Sequence, residues 1–131
     1  MPTLTDHARS LFARPILGWV TVIRPDGSPH NSVVWLDVEG DTVLFNTAIG
    51  RAKERYLREN PSVSVSVLDP DHAFSWASVS GTATFTTDDG NEVIHRLAHK
   101  YTGADFRELA EDERRVTVRV TPEHLVEQSS H

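Results

Sequence analysis

Apolar and polar residues alternate along much of this chain. The clearest case is Ser62–Leu68, in which valines occupy every second position and serines lie between them. A period of two is typical of β-strands that bury one face. Further strands are predicted at 18–23, 30–38, 42–47, 74–86 and 115–120. The pattern therefore predicts about six strands with few helices.

Turn residues between these segments predict how the strands connect. The segment 24–29, Arg-Pro-Asp-Gly-Ser-Pro, and the segment 39–41, Glu-Gly-Asp, are typical of tight turns. The first three strands are therefore expected to form an antiparallel meander. Gly81 indicates a β-bulge or a close backbone approach within its strand. Pro122 is expected to end the last strand.

Three helices are predicted between the strands. Thr5 or Asp6 can cap the first, which is expected to reach about Ala13 before Pro15 stops it. Its apolar face comprises Leu4, Ala8, Leu11 and Phe12. The second helix covers 51–58 and ends at Asn60-Pro61, and the third follows residues 87–89 and ends near Gly103. Segment 105–113 is expected to form a short helix or a loop. The predicted fold is one domain over residues 1–131, mainly β, closed into a small barrel that hides its strand edges.

Composition excludes several classes of function. Thirteen Lys and Arg against 19 Asp and Glu give a net charge of -6, which argues against a general nucleic-acid binder. The absence of cysteine excludes disulfides, iron–sulfur clusters and cysteine nucleophiles. The first residues lack the apolar stretch of a signal peptide, and no apolar run is long enough to span a membrane. A cytoplasmic location is therefore expected.

A cluster of cations stands out in this acidic sequence. Arg51, Lys53, Arg55 and Arg58 lie at the start of the second predicted helix, where cations oppose the helix dipole. A bound anion would resolve this conflict, because helix N–H groups and cationic side chains could converge on one phosphate. Asn46 and Thr47, at the end of the preceding strand, could add hydrogen bonds. The alternative is a solvated helix face on which Glu54 and Glu59 pair with the cations.

The remaining candidate residues point away from side-chain catalysis. Trp19, Trp35 and Trp76 could line a flat cofactor, although a tryptophan in a small barrel more often belongs to the core or to a subunit interface. His95 and His99 have helical i, i+4 spacing but no evident third metal ligand, so no metal site is predicted. No nucleophile elbow, dinucleotide-binding glycine motif or phosphate loop is present. A phosphate site without a nucleophile favours a cofactor that carries out the chemistry itself, so no catalytic side chain is assigned.

Several of these segments together resemble a known family. They are the Pro25-Asp26-Gly27-Ser28-Pro29 turn, Val33-Val34-Trp35, Phe45-Asn46-Thr47 leading into Gly50-Arg51-Ala52-Lys53-Glu54-Arg55-Tyr56-Leu57, Asn60-Pro61, Trp76-Ala77-Ser78-Val79-Ser80-Gly81-Thr82-Ala83, and Leu97-Ala98-His99-Lys100-Tyr101-Thr102-Gly103. The order and content of these segments resemble the pyridoxamine 5'-phosphate oxidase-like split β-barrel proteins, of the FMN-binding split-barrel type. Within them, the chain is most similar to the actinobacterial oxidoreductases that depend on the deazaflavin coenzyme F420.

This resemblance implies a homodimer with cofactor sites at the subunit interface. The cofactor phosphate would be held by Asn46, Thr47, Arg51, Ala52 and Lys53, and the cofactor ring would rest on His30, Asn31, Ser32, Val33 and Val34. The second subunit would contribute Trp76 and also Lys100 or Tyr101. Tyr56 departs from the family pattern, since relatives often have Asn there, and the short second half predicts an open substrate pocket.

The leading hypothesis is an F420-dependent oxidoreductase that transfers hydride between reduced deazaflavin and a small organic acceptor. Arg55 and Arg58 favour F420, because this cofactor carries an anionic glutamyl tail besides its phosphate. The alternatives are an FMN-dependent oxidase or reductase, a non-catalytic flavin-binding protein, and a haem-binding protein with His30 or His72 as the axial ligand. A purely structural interaction module would leave the cation cluster without a role. Nucleic-acid and membrane partners are not expected.

Overall fold

The computed structural model describes residues 3–129, which form three helices and seven strands. In chain order these are α1 (Asp6–Ala13), β1 (Gly18–Ile23), β2 (Pro29–Val34), β3 (Asp37–Glu39), β4 (Thr42–Ala48), α2 (Ala52–Glu59), β5 (Ser62–Leu68), β6 (Trp76–Thr86), α3 (Gly90–Thr102) and β7 (Arg115–Gln128). Four residues lie outside the described range: Met1, Pro2, Ser130 and His131. The first two belong to the segment for which no signal peptide is expected. Within residues 3–129, no helix has the length and apolar character needed to cross a bilayer.

All seven strands belong to one antiparallel sheet, in the order β2-β1-β5-β6-β7-β4-β3. The two edge strands, β2 and β3, follow each other directly in the chain. The sheet therefore curls until its edges are joined through Trp35 and Leu36. This arrangement is the predicted split barrel, with one strand more than the six expected.

The extra strand arises because the predicted strand 30–38 breaks at Trp35 and Leu36. Leu36 is fully buried, and its N–H donates to the hydroxyl of Tyr101 on α3 rather than to a neighbouring strand. The predicted meander is therefore confirmed only as two hairpins, β1 with β2 and β3 with β4. It is not continuous, because β2 and β3 lie at opposite edges of the sheet and β4 pairs on its other side with β7. The sequence has no glycine or proline at this break, because the contact that fixes it comes from the distant helix α3.

The junction of β6 and β7 also departs from the expected pattern. The predicted strand 74–86 begins only at Trp76, and the last strand continues past Val120 to Gln128. Pro122 does not end it, because it lies opposite Gly81 where the register shifts. The prediction for Gly81 is confirmed, since a Cβ there would lie 1.9 Å from the carbonyl oxygen of Thr121.

The helices cover the barrel much as the periodicity predicts. Thr5 caps α1 by accepting from the N–H of Ala8 at 3.0 Å, and the predicted apolar face of the helix is buried. Helix α2 begins after Arg51, and α3 ends at Gly103, which has a φ of +79°. Segment 105–113 is a loop. The main core fills the barrel, and a second cluster of Leu44, Val93 and Leu97 lies beneath α3.

Candidate functional site

An open cleft of about 320 Å³ lies between the end of β2 and the helix α3. Its polar wall is formed by Asn46, Arg51, Lys53 and Arg115, and its apolar wall by Leu17, Val33, Val34, Trp35, Ile94, Leu97 and Phe106. The polar wall comes from the end of β4, the start of α2 with the residue before it, and the first residue of β7. The cleft therefore has one cationic side and one aromatic and aliphatic side.

Lys53 is the most informative cation of this cleft. Its half-buried amino group donates to the Ser32 hydroxyl at 3.2 Å and forms no ion pair with any carboxylate of the described residues. Burial lowers the pKa of Lys53 below its usual value, and repulsion by Arg51 and Arg115 lowers it further. An anion in the cleft would supply the missing counter-charge.

Arg115 forms the floor of the cationic side. Only 5% of this residue is exposed, and its guanidinium donates to Asn46 Oδ1 and to Glu113, each at 2.9 Å. Asn46 in turn donates through Nδ2 to the Gly90 carbonyl at 2.9 Å. Gly90 permits this close packing of α3 on β7, since a Cβ there would lie 2.1 Å from the carbonyl oxygen of Arg115.

Glu113 is the carboxylate that balances part of this positive charge. It accepts two hydrogen bonds from Arg107, at 2.7 and 3.0 Å, besides the one from Arg115. The Arg107 guanidinium, the N–H of Ala110 and Arg115 lower the pKa of Glu113 to about 2. Of four cations near the cleft, Arg107 and Arg115 pair with Glu113, whereas Arg51 and Lys53 form no ion pair within residues 3–129. This leaves an excess of positive charge at the cleft in a protein of net charge -6.

The aromatic side of the cleft is built in layers. Trp35 stacks on Tyr101 with ring centroids 5.6 Å apart and meets Phe106 edge-on at 6.2 Å. Phe106 belongs to the loop after α3, and its N–H donates to His95 Nδ1 at 3.2 Å. The Arg115 guanidinium lies 5.1 Å from the Phe106 ring, which brings the aromatic and cationic sides together.

Five predicted cofactor-binding residues line this cleft: Val33, Val34, Asn46, Arg51 and Lys53. Ser32 reaches it through its hydrogen bond with Lys53, and Ala52 lies between the two cations of the α2 start. These residues come from β2, β4 and α2. The structure thus brings together most of the residues predicted around the ring and the phosphate.

The other β2 and β4 candidates point elsewhere. Asn31 lies on the outer face of the sheet, where its Oδ1 accepts from Thr21 Oγ1 at 2.5 Å. Thr47 shares the face of Phe45 in the barrel core and is 1% exposed, and its hydroxyl has no hydrogen-bond partner. His30 packs edge-on against Tyr56, and its Nδ1 is likewise buried without a partner. Burial, with repulsion by Arg24 and Lys53, lowers the pKa of His30.

The cations further along α2 do not line the cleft. Arg58 pairs with Glu54 at 2.7 Å and lies 3.8 Å from the Phe85 ring, so the solvated-face interpretation fits this residue. Arg55 is exposed, 6.0 Å from the ring of Tyr56, and forms no ion pair within residues 3–129. The predicted cluster therefore divides, with Arg51 and Lys53 facing the cleft and Arg55 and Arg58 on the helix surface.

The residues assigned to a second subunit lie outside the cleft of their own chain. Trp76 donates through Nε1 to Gln128 Oε1 at 3.2 Å. Lys100 donates to the carbonyl oxygens of Phe12 and Leu36, at 2.9 and 2.5 Å. These carbonyls engage the Lys100 amino group, and its contact with a cofactor stays a prediction.

Sequence reasoning missed Arg115 and Phe106 as site residues. Arg115 is the first residue of the predicted last strand and follows the other cations of the cleft by about 65 residues in sequence. Phe106 lies in a loop that contains no recognisable motif. Only the pairing of β4 with β7, which places Ala48 opposite Arg115, shows the connection. The two histidines with helical spacing serve this same loop: His95 accepts from Phe106, and His99 lies 2.5 Å from Asp105. Across residues 3–129, no three potential ligands are grouped to hold a metal ion.

Comparison with known proteins agrees with the split-barrel fold. The family model described as pyridoxamine 5'-phosphate oxidase matches residues 4–129. Among solved structures, an F420 reductase is 28% identical to this chain, with a TM-score of 0.85, and the match covers 94% of this chain and 98% of that one. A comparison with curated proteins gives no match.

Two more distant structures show the fold alone. A conserved hypothetical protein from Mycobacterium tuberculosis is 23% identical, with a TM-score of 0.71 and coverage of 96% of this chain and 85% of that one. General Stress Protein 26 from Bacillus anthracis is 16% identical, with a TM-score of 0.74 and coverage of 96% and 94%.

Proposed function

The chain belongs to the pyridoxamine 5'-phosphate oxidase family, and from this premise we propose that it is an F420-dependent oxidoreductase. The observation that carries this proposal is the half-buried Lys53, beside Arg51 and Arg115, without a carboxylate partner among the described residues. A cation in that state is poised for an anionic ligand, and the cofactors of this family carry a phosphate. The phosphate would be bound by Arg51 and Lys53 at the start of α2.

The rest of the cleft suits the ring of such a cofactor. Its apolar wall offers Val33, Trp35 and Phe106 as surfaces on which a flat ring can pack and from which water is excluded. When bound, reduced F420 supplies a hydride. The cleft lining contains no carboxylate, histidine or serine that could act as a nucleophile or general acid. This chain's residues would therefore bind the cofactor, orient its ring and keep water out.

F420 is favoured over FMN by two observations. The F420 reductase is similar over nearly the full length of both chains. In addition, Arg55 lies exposed one turn beyond Arg51 without an ion-pair partner in the described range, where it could bind an anionic tail. FMN, which has the phosphate but no such tail, is the alternative cofactor.

The site would be completed by a second copy of this chain. On the outer face of the sheet, Val33, Trp19, Ser66, Ser78 and Val126 form one cross-strand row. Trp19 is 54% exposed, and Val33 and Val126 are 48% and 58% exposed. The row meets the cleft at Val33, which belongs to the row and also lines the cleft beside Leu17. A partner seated on the row would therefore also cover one side of the cofactor cleft.

A pair of fluorescence titrations with purified protein tests the cofactor. F420 is expected to bind more tightly than FMN, and Arg55→Gln is expected to weaken F420 binding while leaving FMN binding unchanged. A preference for FMN would transfer the proposal to the flavin-dependent enzymes. Binding of neither cofactor would contradict the proposed function. A Soret band on addition of haem would instead support the haem-binding alternative.

Sedimentation analysis tests the second copy. The protein is expected to be a dimer, and Trp19→Lys is expected to shift it to a monomer with weaker cofactor binding. Ile49→Lys is the matched control, since Ile49 is 45% exposed but lies outside the row. A dimer that persists in Trp19→Lys would exclude this face as the interface.

A further inference from the structure

Three side chains far apart in sequence form a hydrogen-bonded chain at one end of the barrel. His7, in the first turn of α1, lies with Nδ1 2.7 Å from Glu127 Oε1 and with Nε2 3.0 Å from the hydroxyl of Ser75. Glu127 belongs to the end of β7, and Ser75 immediately precedes β6. This is the relation of acid, base and hydroxyl that activates a serine nucleophile.

The carboxylate of Glu127 is held in place from a second direction. It also accepts from the Thr5 hydroxyl at 2.7 Å. Burial alone would raise the pKa of Glu127, but the hydrogen bonds from His7 and Thr5 bring it below its usual value. An ionised Glu127 favours the imidazole tautomer with its proton on Nδ1, so that the lone pair of Nε2 faces the hydroxyl of Ser75.

Ser75 is fixed in position by its backbone. Its N–H donates to the His72 carbonyl at 2.8 Å, and its own carbonyl accepts from the N–H of Asp69 at 2.9 Å. By strand alternation it lies on the side of Ala77 and Val79, toward α1, rather than on the outer face with Trp76. A partner on the outer row would therefore leave Ser75 uncovered, and neither Ser75, His7 nor Glu127 lines the cofactor cleft.

We propose that Ser75 is a nucleophile, with His7 as its general base and Glu127 as the residue that orients the imidazole, and that it takes small activated acyl esters. The small substrate follows from the access to the site, since Ser75 is 7% exposed. The side chain of His7 is 22% exposed, so it remains within reach of solvent water.

The chemistry is a two-step acyl transfer. The Ser75 oxygen attacks the ester carbon while its proton passes to His7 Nε2. The bond from the acyl carbon to the leaving oxygen then breaks, and that oxygen takes the proton from His7. Water, deprotonated by the same imidazole, attacks the acyl-serine, and the products are the carboxylic acid and the regenerated hydroxyl.

The test is acetylation by p-nitrophenyl acetate, with the modified residue located by fragmentation mass spectrometry after acid quench. Ser75 is expected to be acetylated, and His7→Gln is expected to slow this step by about 100-fold or more, the usual contribution of a general base. Glu127→Gln should also slow it, and Ser75→Ala should abolish it. Ser62→Ala is the matched control and should change nothing, because Ser62 is exposed at the start of β5 and belongs to neither proposed site.

A purely structural role would give a different result. If the three residues only anchor α1 to the sheet, His7→Gln lowers the unfolding midpoint while Ser75 reacts no faster than the exposed Ser62 in the wild type, and the proposal is overturned. Should His7→Gln not fold, Glu127→Gln, which preserves the shape of the side chain, supplies the same comparison. FMN affinity is expected to be unchanged in every variant, so the outcome is independent of the cofactor proposal.

Discussion

Two arginines on the same strand show how differently this protein uses positive charge. Arg115 and Arg119 are four residues apart on β7, so their side chains project from the same face of the strand. Arg119 joins Arg96 in a surface network with Asp37, Glu39 and Asp89. Lys100 adds a third cation through Asp37, so three cations have three carboxylates. Arg115 joins the cleft group, in which Arg107 and Arg115 pair with Glu113 while Arg51 and Lys53 have no carboxylate partner among the described residues. In the first group the positive and negative charges balance, whereas the second group would need a bound anion to balance its charge.

The largest expected effect of this difference is on stability. Arg115→Leu should lower the free energy of unfolding by about 3–5 kcal/mol, because it leaves Asn46 and Glu113 without their buried partner. Chemical denaturation measures this loss. Arg114→Leu, at the exposed neighbouring position, should have little effect, and equal losses in the two variants would show that Arg115 has no special structural role.

The second prediction separates binding from stability at Lys53. Lys53→Met should weaken FMN binding by about 10- to 150-fold, corresponding to about 1.5–3 kcal/mol for a hydrogen bond to a charged group. Stability should be unchanged or increased, since the variant removes a half-buried charge without a counter-charge. Fluorescence titration and thermal unfolding measure the two quantities. Arg58→Met, in the same helix but paired with Glu54, is the control, and an equal loss of affinity there would contradict the assignment of Lys53.

The third prediction concerns alkaline pH. The pKa of Lys53 lies below its ordinary value of 10.5 because of burial and of the neighbouring arginines, and a bound phosphate would raise it again. FMN affinity should therefore be constant below the pKa of the free protein and should fall as the pH rises through it. Lys53→Arg keeps the charge and should remove this decline. An identical pH profile in wild type and Lys53→Arg would assign the dependence to another group.

The smallest effect is expected in the group whose charges balance. Arg96→Met should change the free energy of unfolding by about 0–1 kcal/mol, because its ion pairs with Asp37 and Glu39 are exposed to solvent. FMN affinity should not change. A loss of affinity comparable with that of Lys53→Met would remove the distinction between the two groups.

What could be predicted from sequence depended on whether the cause was local. The valines of β5, the bulge at Gly81 and the cap of α1 each follow from neighbouring residues, and all three were predicted correctly. The break at Leu36 was not, because the hydroxyl of Tyr101 imposes it from the distant α3. Likewise, the cations of 51–58 were visible as a cluster, but only the fold divides them into Lys53, which faces the cleft, and Arg58, which pairs with Glu54.

The position of β7 in the sheet has a consequence for synthesis of the chain. This strand lies between β6 and β4, so without it the sheet consists of two separate parts, β2-β1-β5-β6 and β4-β3. On the ribosome, which delivers the chain from its N-terminus, both parts must wait with exposed strand edges until β7 has emerged, and they depend on contacts of long sequence separation. Because Arg115 is the first residue of β7, the nascent chain should complete the cationic side of its cleft only in the last stage of folding.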